Sequence, residues 1–331
     1  MLDKADWVIA TDFFKGFTEV RCLSIYASFR KQVQPTWDLI ASILPHMRVL
    51  QHLTLESRGC GNVFPHVWRC VDVPSLQVLS VDGASHRKQG WKPIPRSGIR
   101  KASFTTLYVS TYHDVAAISD LIQWPGKLQH FHFEHFRVST HYLDLRMLGV
   151  WLSSHKDSLQ TIDIGFLSRA GRGPLLDVSE FPSLTSLKLS RHSFSDRLES
   201  LPESDPQQLL APNLETFTWD FDSDDGDPVP WNGFGELEER WLEGFVKTAG
   251  SKSPLLKTIR IIFCPDEEDS KASDGYPWDR LDRVRERCRP LGIRLEYDEP
   301  PLSKEAWLKG LEDEERGRGS VEVEDVGNAP R

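Results

Sequence analysis

One short phrase governs what this chain can fold into: an apolar residue, two spacers, an apolar residue, one spacer, an apolar residue. It returns as Val20/Leu23/Ile25, Leu50/Leu53/Leu55, Leu76/Leu79/Val81, Leu128/Phe131/Phe133, Leu159/Ile162/Ile164, Leu184/Leu187/Leu189, Leu214/Phe217/Trp219 and Leu256/Ile259/Ile261. A weaker copy is Ile99/Ala102/Phe104, and a closing strand is expected from Ile293 to Tyr297. The spacing alone is weak evidence, since a chain of 331 residues with 39% apolar content produces about twenty such matches by chance. Context separates signal from noise. Pro74, Pro182, Pro212 and Pro254 each stand two residues before the first apolar position of a copy, where proline stops an incoming helix and sets the chain extended.

Successive copies start 30, 26, 23, 29, 31, 25, 30 and 42 residues apart, which brackets the unit length of leucine-rich repeats with some longer members. Between them lie segments with helical spacing, at Trp37 to Met47, Val115 to Trp124, Tyr142 to His155, Leu237 to Ala249 and Trp278 to Arg289. In the third of these, Leu145, Leu148 and Leu152 recur at the three and four spacing of one buried helix face. Strand then helix, repeated, predicts an α/β leucine-rich-repeat solenoid, with a parallel sheet on the concave face and helices and irregular turns outside.

Side chains alternate along a strand, so the two apolar residues separated by one position point into the core while their neighbours point to the open face. A binding surface is expected there. Its predicted contact residues are Tyr26, Glu56, Asp82, His130, His132, Glu134, Asp163, Lys188, Asp220 and Arg260. The weaker copy puts Lys101, Ser103 and Thr105 on the same face. Glu56, Asp82, Glu134 and Asp220 share the third open-face column, interrupted by Thr105, Gly165 and Ser190. Such a column suits a basic segment of a partner protein, or is simply a solvated strip that keeps the face soluble.

The units FPSLTSLKLS (Phe181 to Ser190) and APNLETFTWDF (Ala211 to Phe221), with the Trp-bearing helical segment Trp241 to Phe245 between later copies, resemble the leucine-rich-repeat portion of fungal F-box proteins. The resemblance covers about residues 18–298. It implies substrate recognition by the repeats of a ubiquitin-ligase receptor, whose separate F-box docks on the adaptor of a cullin ligase. Only about 17 residues precede the first repeat here, too few for an F-box, so an adaptor is expected as a partner only if that box is encoded upstream. Leu201-Pro202-Glu203 imitates the opening of an F-box but sits between two repeats and reads as a loop.

Charge and cysteine usage narrow the class. The net charge is −9, and residues 266–331 hold 12 Lys and Arg against 19 Asp and Glu, leaving the body nearly neutral. Without a clustered basic stripe, neither nucleic acid nor an anionic membrane surface is expected as a partner. Cys22, Cys60, Cys70, Cys264 and Cys288 are odd in number and form no CxxC, which suggests neither a disulfide framework nor a zinc ribbon. No apolar run is long enough to span a membrane and no Asn begins a glycosylation acceptor, so a cytoplasmic or nuclear protein, not a secreted one, is expected.

Candidate reactive sites weigh less than their plain readings. His130, His132, His135 and His141 are dense enough to suggest zinc, but a convincing site needs three or four convergent ligands, and a solvated or partner-contacting surface is expected instead. Asp220, Asp222 and Asp224 begin like a calcium loop, yet Asp225 and Trp231 occupy the positions where that loop needs glycine and glutamate. Cys22, the one cysteine placed on the open face, reads as an ordinary thiol. GxSxG, HExxH, GxGxxG and GxxxxGK[ST] do not occur. No catalytic, cofactor or metal residue is therefore assigned.

The expected organisation is an N-terminal cap over residues 1–17, a repeat domain over 18–298, and a short helix with an acidic, disordered tail over 299–331. In that last part Ser303 is expected to cap a helix through Arg316, and Gly317 to Arg331 to form the tail. The expected function is a protein-interaction module. The alternatives are a repeat scaffold without a ligase connection and a motif-poor enzyme.

Overall fold

The structure, a computed structural model, describes residues 12–27, 33–57, 62–63, 67–68, 73–85, 100–111, 114–134, 143–165, 167, 176–194, 205–222, 229–253, 255–266 and 275–321. Twelve strands occur among them: β1 (Cys22–Ala27), β2 (His52–Ser57), β3 (Asn62–Val63), β4 (Val78–Val81), β5 (Ala84–Ser85), β6 (Thr106–Val109), β7 (His130–Phe133), β8 (Thr161–Ile164), β9 (Ser186–Ser190), β10 (Thr216–Asp220), β11 (Thr258–Ile262) and β12 (Arg294–Tyr297). Ten form a single open sheet in the order β1-β2-β4-β6-β7-β8-β9-β10-β11-β12, and all nine pairings in it are parallel. The short β3 and β5 pair separately. Strand order thus follows chain order throughout the main sheet.

The parallel register aligns equivalent positions of successive phrases. Leu53 faces Leu79, Phe131 faces Ile162, Leu187 faces Phe217 and Ile259 faces Leu295. Those side chains are buried, together with the inward residues of the helices, in one continuous core. A shared hydrogen-bond motif fixes each entry. The Gln51 carbonyl accepts the N–H groups of Gln77 and Val78, and the Gln160 carbonyl accepts those of Thr185 and Ser186. The carbonyls of Gln77, Gln129, Thr185 and Glu215 do the same for the strand that follows.

A second set of hydrogen bonds is donated by the residue just ahead of several of the phrases. Ser75 Oγ donates to the Leu50 carbonyl, Ser103 Oγ to that of Leu76, and Ser158 Oγ to that of Leu128. Ser183 and Asn213 reach back to Asp157 and Pro182 in the same way. Each satisfies a carbonyl at the turn into the preceding strand, where the regular ladder has not begun.

Helices α1 (Val33–Ile43), α2 (Val115–Gln123), α3 (Leu145–Leu152), α4 (Asp205–Gln208), α5 (Glu236–Lys252), α6 (Pro277–Cys288) and α7 (Lys304–Val321) connect or close the units. All five expected helical segments are helical, with shifted ends. The Asp114 side chain accepts the Ala116 N–H at 2.9 Å and that of Asp144 accepts the Met147 N–H at 2.7 Å, so these aspartates start α2 and α3. The 17 residues of α5 account for the longest phrase spacing. The helix expected from Ser303 runs on to Val321, Ser303 Oγ accepts the Ala306 N–H, and Trp307 is buried beside Trp231 and Tyr276. Residues 1–11 and 322–331 lie outside the described residues. No helix among the described residues is long and apolar enough to cross a membrane.

One assignment needs correction. The strand after Leu76/Leu79/Val81 is carried not by Ile99/Ala102/Phe104 but by Phe104/Leu107/Val109, since β6 begins at Thr106 and pairs Leu79 with Leu107. Phe104, Leu107 and Val109 are buried. Thr106, Tyr108 and Ser110 therefore replace Lys101, Ser103 and Thr105 on the open face. Lys101 and Ser103 lie ahead of the strand, where Ala102 makes an isolated parallel bridge to Pro125; Ile99 is outside the described residues.

His155 is the most deeply buried of the polar side chains among the described residues, with an exposure of 1%. Its Nδ1 lies 3.3 Å from the Leu128 N–H and its Nε2 lies 2.8 Å from the Ile122 carbonyl. A neutral ring protonated on Nε2 satisfies both, accepting one bond and donating the other. Burial holds its pKa below the ordinary histidine value, against the carbonyl contact, which raises it. A lowered folded-state pKa means that the unfolded chain binds the extra proton first. Stability from this group is thus complete above about pH 6.5 and is lost as pH falls through the lower folded value. His155→Gln should cost about 1 kcal/mol at neutral pH and flatten the stability loss between pH 7 and 5 in urea unfolding. An unchanged pH profile in the variant would show that His155 does not carry the dependence.

Candidate functional site

The non-core side chains of the sheet form aligned columns on its open face. The middle column reads Ser24, Thr54, Ser80, Tyr108, His132, Asp163, Lys188, Thr218, Arg260 and Glu296 across ten strands. Tyr26, Glu56, Asp82, Glu134 and Asp220 belong to the next column, and His130 to the one before. The structure thus puts all ten predicted contact residues on one face. It does not gather them all. Tyr26 and Glu56 lie toward the β1 edge, Arg260 lies toward β12, and the central strands gather His132, Glu134, Asp163, Lys188 and Asp220 around a cleft of about 260 Å³ that Asp82 and His130 do not line.

Cross-strand contacts organise this cleft. The rings of Tyr108 and His132, on adjacent strands, stack with centroids 4.3 Å apart and planes 11° from parallel. His132 Nδ1 stands 3.5 Å from an Asp163 carboxylate oxygen. Lys188 Nζ lies 3.7 Å from Asp163 and 2.9 Å from Asp220. A chain of alternating partners therefore crosses four strands and reaches a fifth. Opposite charges on neighbouring strands favour each other modestly, and these partly exposed pairs set orientation more than they add stability.

The acidic column is accordingly less free than its sequence suggests. Ser110 Oγ and Thr111 Oγ1 both donate to the Asp82 carboxylate, and Asp220 is held by Lys188. Asp220 also accepts the Asp222 N–H at 3.0 Å, an Asx turn rather than a metal loop. Asp224 and Asp225 lie outside the described residues, and Trp231 is a buried core residue. Glu134 is exposed between the small residues Ser110 and Gly165 and makes no ion pair among the described residues.

His130 contacts Thr161 Oγ1 at 3.2 Å. Burial, and then the neighbouring His132, lowers its pKa, so it stays neutral at physiological pH. His135 and His141 lie outside the described residues. Among the described residues no group of three or more His, Cys, Asp or Glu is placed to hold a metal ion. Cys22 is exposed on β1, and burial pushes the Cys288 thiol up to about 11. Cys60 and Cys70 are outside the described residues. Leu201, Pro202 and Glu203 are too.

Tyr108 is the site residue that the phrase assignment missed. Phe104/Leu107/Val109 satisfies the phrase as well as any accepted copy and is preceded by Ser103, as Leu76 is by Ser75 and Leu159 by Ser158. That polar residue before the first apolar position was the available signal. What the arrangement offers chemically is a cleft with one aromatic wall, charged side chains and alternating hydrogen-bond donors and acceptors, built on paired strands of the main sheet. No protein-family model matches the chain, and no curated protein matches it.

Proposed function

We propose that this chain is a leucine-rich-repeat solenoid that binds another protein through the open face of its sheet, as the substrate-recognition repeats of fungal F-box proteins do. The observation that carries the reading is the middle column: ten aligned side chains on a parallel sheet whose opposite side is the core. Residues on such a face vary without disturbing the core, and a rigid sheet holds them at fixed spacing of about 4.8 Å. The protein acts by binding, in the cytoplasm or nucleus. Its connection to a cullin ligase rests on the resemblance of Phe181 to Ser190 and Ala211 to Phe221 to that family. A scaffold role would use the same face.

A photo-crosslinking amino acid placed singly at Ser24, Thr54 or Arg260 tests this, with Val150 and Leu255, exposed outside the sheet face, as comparison sites. In cell extract the open-face positions should capture a common protein and the comparison positions should not. Capture of that protein from Val150 or Leu255 alone would overturn the reading.

A further inference from the structure

We propose that the central cleft seats an arginine side chain of the bound partner, with its guanidinium on Glu134 and its stem against the Tyr108 and His132 rings; this rests on the protein-binding reading above. Three observations converge on that occupant. The first is shape. In the column that contains Glu134, the neighbours on the flanking strands are Ser110 and Gly165, and Ser190 follows, so a gap opens beside the Glu134 carboxylate in a cleft of about 260 Å³.

The second is charge. Among the described residues, Glu134, Asp163, Asp220 and Asp222 line the cleft against one permanent cation, Lys188. That lysine already bridges Asp163 and Asp220, which leaves Glu134 and Asp222 for an incoming cation. The third is the wall. The stacked Tyr108 and His132 rings offer an aromatic surface beside Glu134, and Tyr108 keeps 41% of its surface exposed. A flat, weakly hydrated guanidinium packs on aromatic rings and forks to a carboxylate, whereas an ammonium stays a hydrated point charge. Shape, charge and wall together favour arginine over lysine.

The test uses the full chain labelled with ¹³C in the tyrosine rings. The chain has six tyrosines, and Tyr108→Phe assigns the Tyr108 signal. The probes are acetyl-Gly-Arg-Gly-amide and its lysine and citrulline counterparts. The arginine peptide should shift the Tyr108 signal and bind about fivefold more tightly than the lysine peptide, and the uncharged citrulline peptide should not bind measurably. Read by isothermal titration calorimetry, which does not depend on the Tyr108 signal, Glu134→Gln and Tyr108→Ala should each weaken arginine-peptide binding about fivefold, while Glu180→Gln, on the outer surface, should leave it unchanged. Both variants alter exposed or half-exposed residues, and circular dichroism checks that they fold. Equal affinity for arginine and lysine, or arginine binding indifferent to Glu134→Gln, would overturn the proposal. Crosslinking from Thr54 and Arg260 separates the two claims: a partner captured there without arginine selectivity leaves protein binding standing and removes the arginine site. Selective arginine binding without any open-face capture removes the protein-binding reading instead.

Discussion

Leu187→Asp should leave no folded protein at about 25 °C, whereas Lys188→Ala, one residue away, should change stability in urea unfolding by less than about 1 kcal/mol. The two side chains leave β9 on opposite faces. Leu187 has no exposed surface and lies between Ile162 and Phe217 on the flanking strands. A carboxylate there has no cation within the apolar layer, and burying it unpaired costs several kcal/mol, comparable to the whole stability of many domains. Lys188 sits on the open face, 32% exposed, and pairs with Asp163 and Asp220. Exposed pairs of this kind contribute about 0–1 kcal/mol.

Position along the sheet should matter as well. Leu23 occupies the equivalent place in β1 but has a strand on one side only and is partly exposed, so Leu23→Asp should be tolerated better than Leu187→Asp. Soluble expression and the urea midpoint distinguish the variants. Equal damage from Leu187→Asp and Lys188→Ala would mean that the two faces have been exchanged.

The sheet was legible in the sequence because its signal is local and repeated. Each phrase states which alternate residues are apolar, and a parallel register then follows from stacking like on like, Leu53 on Leu79 on Leu107. The same local reasoning failed at β6. Two overlapping phrases compete there, since Phe104 can be the last apolar position of one or the first of the other. Ala102 in the middle of the rejected copy is too small to anchor a layer occupied elsewhere by Leu, Phe and Ile. The polar residue ahead of the first apolar position, Ser103 here as Ser75, Ser158, Ser183 and Asn213 elsewhere, separates the two copies in the sequence, and the structure supplies its reason in the carbonyls these side chains satisfy.

The candidate site was legible to a similar depth. That Asp163 and Lys188 are neighbours follows from the phrase register alone. That Lys188 also reaches diagonally to Asp220, and that Tyr108 stacks on His132, depends on side-chain rotamers that no spacing rule supplies. The four acids of one column therefore looked equivalent in the sequence and are not. Asp82 and Asp220 are engaged by neighbours, and Glu134 stands apart.

Glu239→Ala should destabilise the protein by roughly 2–3 kcal/mol, far more than removal of any surface acid. Glu238 and Glu239 open α5, where carboxylates also meet the positive end of the helix dipole. Successive residues on a helix point in different directions, and these two bind opposite neighbours. Glu238 accepts the Gly235 N–H at 2.9 Å and pairs with Arg191 at 2.6 Å, back toward β9. Glu239 accepts Arg280 at 3.0 Å and both the Nε and the Nη2 of Arg283 at 2.7 and 2.8 Å, forward onto α6. Its side chain is 9% exposed and that of Arg280 is 15% exposed. Removing the carboxylate takes from the largely buried Arg280 its bond to Glu239 and leaves the apolar contact between α5 and α6 without its charged rim, while the half-exposed Arg283 can turn to water, which keeps the cost below that of a wholly buried pair. The same contacts set a pH dependence. The Arg283 hydrogen bonds, followed by those of Arg280, outweigh burial and hold the Glu239 carboxyl below its usual range. A depressed folded-state pKa contributes stability that is complete above the ordinary value near 4.5 and is lost as pH falls through the folded value. Urea unfolding at pH 7 and at steps below pH 5 should show the gap between wild type and Glu239→Ala narrowing with acid. Glu296→Ala, which removes the exposed partner of Arg294, should cost less than about 0.5 kcal/mol. If the two variants cost the same at pH 7, α5 and α6 are joined by their apolar faces alone and the ion pair between them is incidental.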